Sequence, residues 1–190
     1  MVKDFNISQI DSYSDFTSFT GTRQGLYVKG RSDAWFDYYI YRDAYTPLLA
    51  ECPANQFGTS VSAGKDAIRS LDEIHNNDWA LYAGVEFGND EYLRHPDSLT
   101  LIASSNSSGG MVEVWLDSLN SNSKIAECTI SNTGSRDNYK TFTTKITTPV
   151  SGRHDVYLRF KGSGTDKLFM LQWFGFKDIS IESNFNEYSK

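Results

Sequence analysis

Three stretches of the chain alternate apolar and polar side chains with a period of two: Trp79 to Phe87, Val112 to Asp117 and Asp155 to Phe160. Successive side chains on an extended strand point to opposite faces, so each stretch predicts a strand with one buried face. Clusters of Gly, Asn, Asp and Ser separate these stretches, and helix signals are scarce. The pattern therefore predicts an all-β fold, and short strands at this spacing favour a β-sandwich.

The first 45 residues follow a different pattern. Residues 25–30 and 34–41 predict two strands around a short Arg31-Ser32-Asp33 turn. We interpret residues 1–45 as an additional N-terminal β-hairpin segment, either the end of an upstream domain or a hairpin that packs on the sandwich. A linker is expected near residues 43–47, because Thr46-Pro47 favours an extended junction. The sandwich is then predicted over residues 46–181, followed by a tail over 182–190.

Composition and charge exclude several classes of partner. The 190 residues carry a formal net charge of -6, the wrong sign for binding the phosphate backbone of a nucleic acid. Apolar runs fall well short of the roughly 20 residues that a membrane span needs, and the first residues lack the apolar core of a signal peptide. Cys52 and Cys128 are too few for a disulfide scaffold and favour two free thiols over one bridge.

Motifs for catalysis are missing from the sequence. It contains no Gly-x-Ser-x-Gly nucleophile elbow, no Walker A loop and no dinucleotide fingerprint. The 24 acidic residues supply carboxylate pairs by chance, but sequence gives no cleft geometry for glycoside hydrolysis. We therefore predict no catalytic residue and no enzymatic activity in this chain.

Ordered sequence blocks carry a resemblance to a known family. The chain resembles family 6 carbohydrate-binding modules from about residue 47 to residue 178. The resemblance implies a jelly-roll β-sandwich that binds a polysaccharide or oligosaccharide without chemistry of its own. It further implies an extracellular location and, as a partner, a glycoside hydrolase catalytic domain in the same parent chain, which the module targets to plant or algal polysaccharide. The blocks are Leu49-Ala50-Glu51, Asn77 to Gly88, Gly110 to Ser118, Tyr139 to Thr144, Gly152 to Phe160 and Leu168 to Phe176.

Members of this family grip sugar in a cleft at the loop end of the sandwich, between two aromatic rings and beside an asparagine. The resemblance assigns these positions to Glu73, Tyr139 and Met170, so that only Tyr139 keeps the expected type of side chain. Glu73 can accept hydrogen bonds from sugar hydroxyls, which allows a retuned site. The alternative is a structural or interdomain module of a glycoside hydrolase whose sugar cleft is degenerate.

The family has a second sugar surface on the concave face of one sheet. On the strand Val112 to Asp117, period two points Val114 to the core and leaves Glu113, Trp115 and Asp117 on the opposite face. A tryptophan between carboxylates has the composition of a sugar platform, although the N-terminal segment could equally cover it. Among the other aromatic residues, Trp79, Phe160, Phe174 and Phe176 are expected in the core.

The family also carries a structural calcium near the start of the sandwich. Glu51 and Asp178 match two of its carboxylate positions, while Leu49 replaces another acidic position. Calcium takes six to eight oxygens, so this pair would need backbone carbonyls and water as well. The alternative is that both are unrelated surface acids.

Overall fold

A computed structural model describes residues 42–64, 69–88, 94–120 and 122–178. The predicted N-terminal hairpin and the predicted tail lie outside the described residues. Within the described ranges, the secondary structure is entirely β and none of the segments is a helix with the length and apolarity of a membrane span. The all-β prediction is therefore confirmed.

Twelve strands form the described part of the chain. In chain order they are β1 (Arg42–Asp43), β2 (Leu48–Leu49), β3 (Asn55–Phe57), β4 (Ser60–Ala63), β5 (Arg69–Asp72), β6 (Trp79–Glu86), β7 (Ser98–Ser104), β8 (Gly110–Leu116), β9 (Lys124–Ile130), β10 (Lys140–Lys145), β11 (Arg153–Lys161) and β12 (Met170–Lys177).

The strands form two six-stranded sheets that pack as a sandwich. Sheet 1 has the order β1-β6-β11-β8-β9, with β3 also pairing with β6. Sheet 2 has the order β10-β7-β12-β5-β4, with β2 also pairing with β12. The β1–β6 pair is parallel, and the other pairs are antiparallel. The predicted sandwich is confirmed.

Aromatic side chains fill the space between the sheets. The ring of Tyr82 on β6 meets Phe174 on β12 at a centroid distance of 4.7 Å, and Phe87 meets Phe176 at 4.8 Å. Both contacts have the edge-to-face geometry that aromatic pairs prefer. The hydroxyl of Tyr82 is fully buried and donates to the carbonyl of Ala50 at 2.8 Å. Phe160 is also fully buried, so the core prediction is confirmed for Phe160, Phe174 and Phe176.

Trp79 is a correction to the predicted core. It is half-buried on the outer face of sheet 1, where its ring lies 5.9 Å from that of Tyr157. The physical reason lies in β6, which carries apolar residues on both faces. Ala80 and Tyr82 face the core, but an irregularity of register near Gly84, which has φ of +65°, then turns Val85 and Phe87 inward.

The start of the sandwich also differs from the expected linker at residues 43–47. Arg42 and Asp43 pair with β6, and Ala44 is fully buried in the core. The side chain of Asp43 accepts a hydrogen bond from the amide of Tyr45 at 2.9 Å, which closes a turn toward β2. These residues therefore belong to the folded sandwich.

The two cysteines differ in solvent exposure and do not form a disulfide. Both are free thiols, Cys52 exposed and Cys128 buried. The expectation of two free thiols is confirmed. Burial raises the pKa of Cys128 to about 11, so this thiol is unreactive in the folded protein.

Candidate functional site

One end of sheet 2 gathers the residues predicted for the loop cleft. Lys140 pairs with Ala103, Met170 with Ser104 and Leu171 with Leu71, so β10 and β12 begin where β5 and β7 end. This register brings Glu73, Tyr139 and Met170 to one edge. The Tyr139 hydroxyl lies 2.9 Å from Ser70 Oγ and 3.9 Å from Met170 Sδ.

The three predicted residues differ in exposure. Tyr139 and Glu73 are half-buried, whereas Met170 is only 5% exposed. Glu73 adopts φ of +54°, in the left-handed region, and its amide donates to Asp72 Oδ1 at 2.7 Å. This bond turns the chain sharply at the end of β5 and presents the Glu73 carboxylate at the edge of the sheet. The loop end therefore presents an aromatic ring and a carboxylate at one edge, with the Met170 thioether buried against the Tyr139 hydroxyl.

Asp72 anchors this edge. Its carboxylate accepts hydrogen bonds from Ser62 Oγ at 2.8 Å, from the Glu73 amide and from Arg136 Nη2 at 2.5 Å. Burial alone would raise the pKa of Asp72, but these hydrogen bonds and the positive charge of Arg136 outweigh burial and hold its pKa below the usual value. Asp72 is therefore ionised and fixes Arg136 at the loop end.

A second ion pair lies beside the first. Lys167 Nζ contacts Glu73 Oε1, and both side chains are roughly two-fifths exposed. A small cavity of about 10 Å³ is lined by Asn106, Arg136, Lys167, Leu168, Phe169 and Met170. This volume holds one water-sized group and is far too small for a sugar ring. A sugar at this edge would therefore lie over the cavity mouth.

The outer-sheet face, defined by Trp79, Glu113, Trp115, Tyr157 and Arg159, lies on sheet 1 away from the core. Register pairs Trp115 with Tyr157, and Arg159 with both Glu113 and Trp79. The predicted orientation of Glu113 and Trp115 away from the core cluster is seen, yet they are only 8% and 7% exposed. An exposed Trp115 platform is therefore not present.

Glu113 is held by its neighbours on this face. Its Oε2 accepts a hydrogen bond from Trp115 Nε1 at 3.3 Å, and its carboxylate pairs with Lys124 at 3.6 Å and with Arg159 at 4.0 Å. Lys124 Nζ also lies 5.5 Å from the centroid of the Trp115 ring. The Glu113 carboxylate therefore fixes the orientation of the Trp115 ring.

More aromatic surface is available nearby. Phe57 on β3 is 63% exposed and pairs in register with Trp79, whose ring contacts Tyr157. Arg159 Nη2 and Lys161 Nζ both donate to Asn77 Oδ1, at 3.2 and 2.7 Å. Sequence reasoning missed Phe57 because its strand is only three residues long and fully exposed, which leaves no alternation to detect.

A larger groove of about 410 Å³ lies where β8 begins and β9 and β11 end. Its lining includes Met111, Thr129, Lys161 and several serines, but no aromatic ring. Without a ring to stack on a pyranose, it is a weaker candidate for sugar than the loop end.

The predicted calcium ligands do not lie together. The amide of Ala50, next to Glu51, donates to the Gln172 carbonyl, whereas the amide of Phe176 donates to the Ala44 carbonyl. From Gln172 to Asp178 the chain runs six residues, about 20 Å at the rise of an extended strand. Register thus puts Asp178 near the other end of β12.

The surroundings of the two carboxylates also differ. Glu51 Oε2 lies 2.8 Å from Arg69 Nε, so the positive charge beside this carboxylate is a guanidinium. Asp178 lies near Tyr45, whose pKa is raised to about 12 by burial and by the charge of that carboxylate. Within the described ranges, no three His, Cys, Asp or Glu side chains form a group that could hold a metal. Glu51 and Asp178 therefore do not fit a shared calcium ion.

Sequence reasoning did not single out Arg136 or Lys167. Both lie in loops, in segments far from Glu73 along the chain, and a lone basic residue in a polar loop carries no signal of its own. Only the register of β5, β7, β10 and β12 brings them to the same edge.

Comparison with known proteins agrees with this fold. The family described as carbohydrate binding module (family 6) matches residues 50–178. An arabinoxylan arabinofuranohydrolase of Paenibacillus polymyxa is 30% identical in an alignment of 133 positions that covers 67% of this chain and 20% of that protein. The chain thus spans about a fifth of the length of this curated relative.

Solved structures give the same result. A family 6 carbohydrate-binding module of Clostridium cellulolyticum in complex with xylose is 31% identical, with a TM-score of 0.65, and covers 72% of this chain and 100% of its own. A β-1,3-glucan-binding module of the same family from Bacillus halodurans is 26% identical, with a TM-score of 0.65, and covers 73% of this chain and 99% of its own. Because the family match spans well over half of the residues, the chain belongs to family 6 of the carbohydrate-binding modules, a family of non-catalytic polysaccharide-binding domains.

Proposed function

We propose that this module binds a xylan-type polysaccharide at the loop end of sheet 2, where Tyr139, Glu73 and Met170 converge. The observation that carries the proposal is this convergence of a ring, a carboxylate and an apolar side chain at one edge. A related module binds xylose, and the curated relative acts on arabinoxylan, which supports xylan as the ligand class.

Each side chain has a distinct task in this proposal. The axial C–H groups of a pyranose give it an apolar face, which stacks on the Tyr139 ring. Glu73 accepts hydrogen bonds from sugar hydroxyls. Met170 supplies an apolar contact surface, which the asparagine that the family carries at this position could not. The hydrogen bond between Tyr139 and Ser70 holds the ring in place before binding, which lowers the entropy cost.

Binding at this edge would serve an appended catalytic domain. We propose that the parent protein is an extracellular glycoside hydrolase, as the similarity to an arabinofuranohydrolase suggests. Holding the enzyme on its substrate raises the local concentration of cleavable bonds without lowering any chemical barrier.

Calorimetry with arabinoxylan, unsubstituted xylan and β-1,3-glucan tests this proposal. We expect xylan binding by the wild-type module and its loss in Tyr139→Ala, because the stacking surface is removed. Tyr157→Ala is the matched control, since it removes the same side chain from the outer-sheet face. An absence of binding to all three polymers would overturn the proposed function.

The outer-sheet face is a second proposed surface. Phe57 pairs in register with Trp79, whose ring contacts Tyr157, and Glu113 and Trp115 lie on the same face, joined by a hydrogen bond. A polymer that binds Tyr139→Ala as tightly as wild type but fails to bind Trp79→Ala would assign binding to this face.

A structural or interdomain role is the alternative function. It is favoured by the burial of Met170 and by the ion pair between Lys167 and Glu73, which occupies a carboxylate that a sugar would need. Deleting the module from the parent enzyme separates the two roles. Loss of activity on insoluble xylan alone supports targeting, whereas equal loss on soluble oligosaccharides supports the structural role.

A further inference from the structure

The small cavity at the loop end is lined by two cations. Arg136 and Lys167 both border it, together with Asn106 and Met170. Their carboxylate partners, Asp72 and Glu73, are not among its lining residues. The basic member of each ion pair therefore borders the cavity, whereas its acidic partner does not. Neither cation has a part in stacking on Tyr139 or in accepting sugar hydroxyls.

Arg136 is held rigidly. Its backbone carbonyl accepts a hydrogen bond from the buried Ser104 hydroxyl at 2.6 Å, and its Nη2 donates to Asp72 Oδ1. Within the described part of the chain, this is the single hydrogen bond of a guanidinium that carries five N–H donors. Because Asp72 also accepts from Ser62 and from the Glu73 amide, its charge is shared among three donors. Arg136 therefore keeps donors and positive charge for a further partner.

Lys167 is the more weakly held of the two cations. Its ion pair with Glu73 is about 40% exposed on both sides, and exposed pairs of this kind contribute little free energy. The ammonium can therefore turn toward an incoming anion at low cost while Arg136 stays fixed.

We infer that Arg136 and Lys167 form a subsite for the carboxylate of a uronic acid substituent on the polysaccharide. The inference rests on the proposed function, since the sugar ring that carries the carboxylate would lie at the cavity mouth beside Tyr139. A planar carboxylate matches the guanidinium fork and can accept from both cations at once. A cavity of about 10 Å³ has room for one carboxylate oxygen, so the rest of the group would lie at the cavity mouth with the sugar ring.

Paired ligands test the subsite directly. Glucuronic-acid-substituted xylooligosaccharides are compared by calorimetry with the same compounds after reduction of the carboxyl to an alcohol. We expect the uronate to bind about tenfold more tightly, a ratio that corresponds to about 1.4 kcal/mol. The ratio should fall as ionic strength rises, because the attraction is partly exposed to solvent.

Variants identify the groups responsible. Lys167→Gln removes one cation, and Arg136→Lys keeps the charge beside Asp72 but removes the guanidinium fork. Both should reduce the uronate preference to near unity while leaving the reduced ligand bound. Lys145→Gln is the matched control, since Lys145 is exposed at the opposite end of β10. Thermal unfolding of each variant checks that the fold is retained.

Each outcome is decisive. Equal binding of the uronate and its reduced form would overturn the subsite and leave the proposed function standing. Binding of neither would contradict the proposed function, and the subsite with it. A sulfated xylooligosaccharide that binds as tightly as the uronate would contradict the assignment to a carboxylate.

Discussion

At the scale of single residues, Asp72 holds the candidate site together. It is 6% exposed and accepts hydrogen bonds from the Ser62 hydroxyl, the Glu73 amide and the Arg136 guanidinium. Removing one partner of a buried charged pair leaves the other without compensation, which costs more than the pair itself contributes. The position of Arg136 and the turn at Glu73 both depend on this carboxylate.

Asp72→Ala is expected to lower the free energy of unfolding by about 3 kcal/mol, because it strands the Arg136 charge and the Glu73 amide. Urea denaturation at pH 7 measures the change. Asp137→Ala is the control, since Asp137 is exposed and lies next to Arg136 in sequence. Equal small effects of the two substitutions would contradict the anchoring role.

The same carboxylate predicts a pH dependence. The pKa of Asp72 is lower in the folded protein than in the unfolded chain. Its contribution is therefore fully present above the unfolded pKa of about 4 and is lost as pH falls through the folded pKa. The free energy of unfolding should therefore fall as pH drops below about 4 in the wild type, and by less in Asp72→Ala. Parallel pH profiles for the two proteins would refute this linkage.

Gly109, which precedes β8, is a second residue on which the sandwich depends. Its φ is +80°, and a Cβ at this position would lie 1.9 Å from the Ile130 carbonyl oxygen, a backbone atom that cannot swing aside. Gly134 has a similar φ of +89° with nothing within 4 Å of the equivalent Cβ. Substituting both glycines by alanine therefore separates the cost of the steric clash from the cost of a positive φ.

Thermal unfolding of Gly109→Ala and Gly134→Ala makes this comparison. Both variants bear the left-handed penalty of about 1–2 kcal/mol, and Gly109→Ala adds a packing cost of about 1–3 kcal/mol. The midpoint should therefore fall further in Gly109→Ala. Equal midpoints would show that the Gly109 backbone can shift away from Ile130 at little cost.

At the scale of elements, β12 sets the distance between Glu51 and Asp178. Gln172, which bonds to the residue before Glu51, is separated from Asp178 by about 20 Å of extended strand, and Arg69 already pairs with Glu51. A calcium ion shared by this pair would need one of them to leave its strand neighbours. The family resemblance predicted this pair from matching sequence positions. Such a match gives no distance between the two carboxylates.

We expect the thermal midpoint of the purified module to be the same in EDTA and in millimolar calcium. Because Arg69 is 62% exposed, although Glu51 is only 20% exposed, Arg69→Gln should cost about 1 kcal/mol. Differential scanning calorimetry measures both effects. A midpoint that rises by several degrees with calcium would contradict the account of this end of the sandwich.

The strands themselves were largely predictable. The alternation over residues 79–87, 112–117 and 155–160 matches β6, β8 and β11 closely, because each has one face packed in the core. The face of Trp79 was not predictable. The irregularity at Gly84 shifts the alternation within β6, and apolar residues on both faces conceal the shift.

At the scale of the whole molecule, the candidate site is a product of topology. Glu73, Tyr139 and Met170 were identified from sequence through the family resemblance, and the register of sheet 2 places them at one edge. Arg136 and Lys167 reach the same edge from separate loops. Their pairing with Asp72 and Glu73 is long-range, and nothing in their local sequence encodes it.

The burial of Trp115 also depends on the assembled sheet. Period two correctly turned Trp115 and Glu113 away from the core, but alternation carries no information on what lies across the strand. The hydrogen bond to Glu113 and the cation of Lys124 come from β8 and β9 together. The composition of a sugar platform was therefore visible in the sequence, while the exposure of its ring was not.

The central claim is that polysaccharide binds at the loop end of sheet 2. Titration of the ¹⁵N-labelled module with xylohexaose, followed by amide chemical shifts, tests it most directly. The account predicts the largest shifts at the amides of Ser70, Glu73, Tyr139 and Met170, with small changes on the outer-sheet face. Shifts confined to Trp79, Trp115 and Tyr157, with none at the loop end, would contradict it.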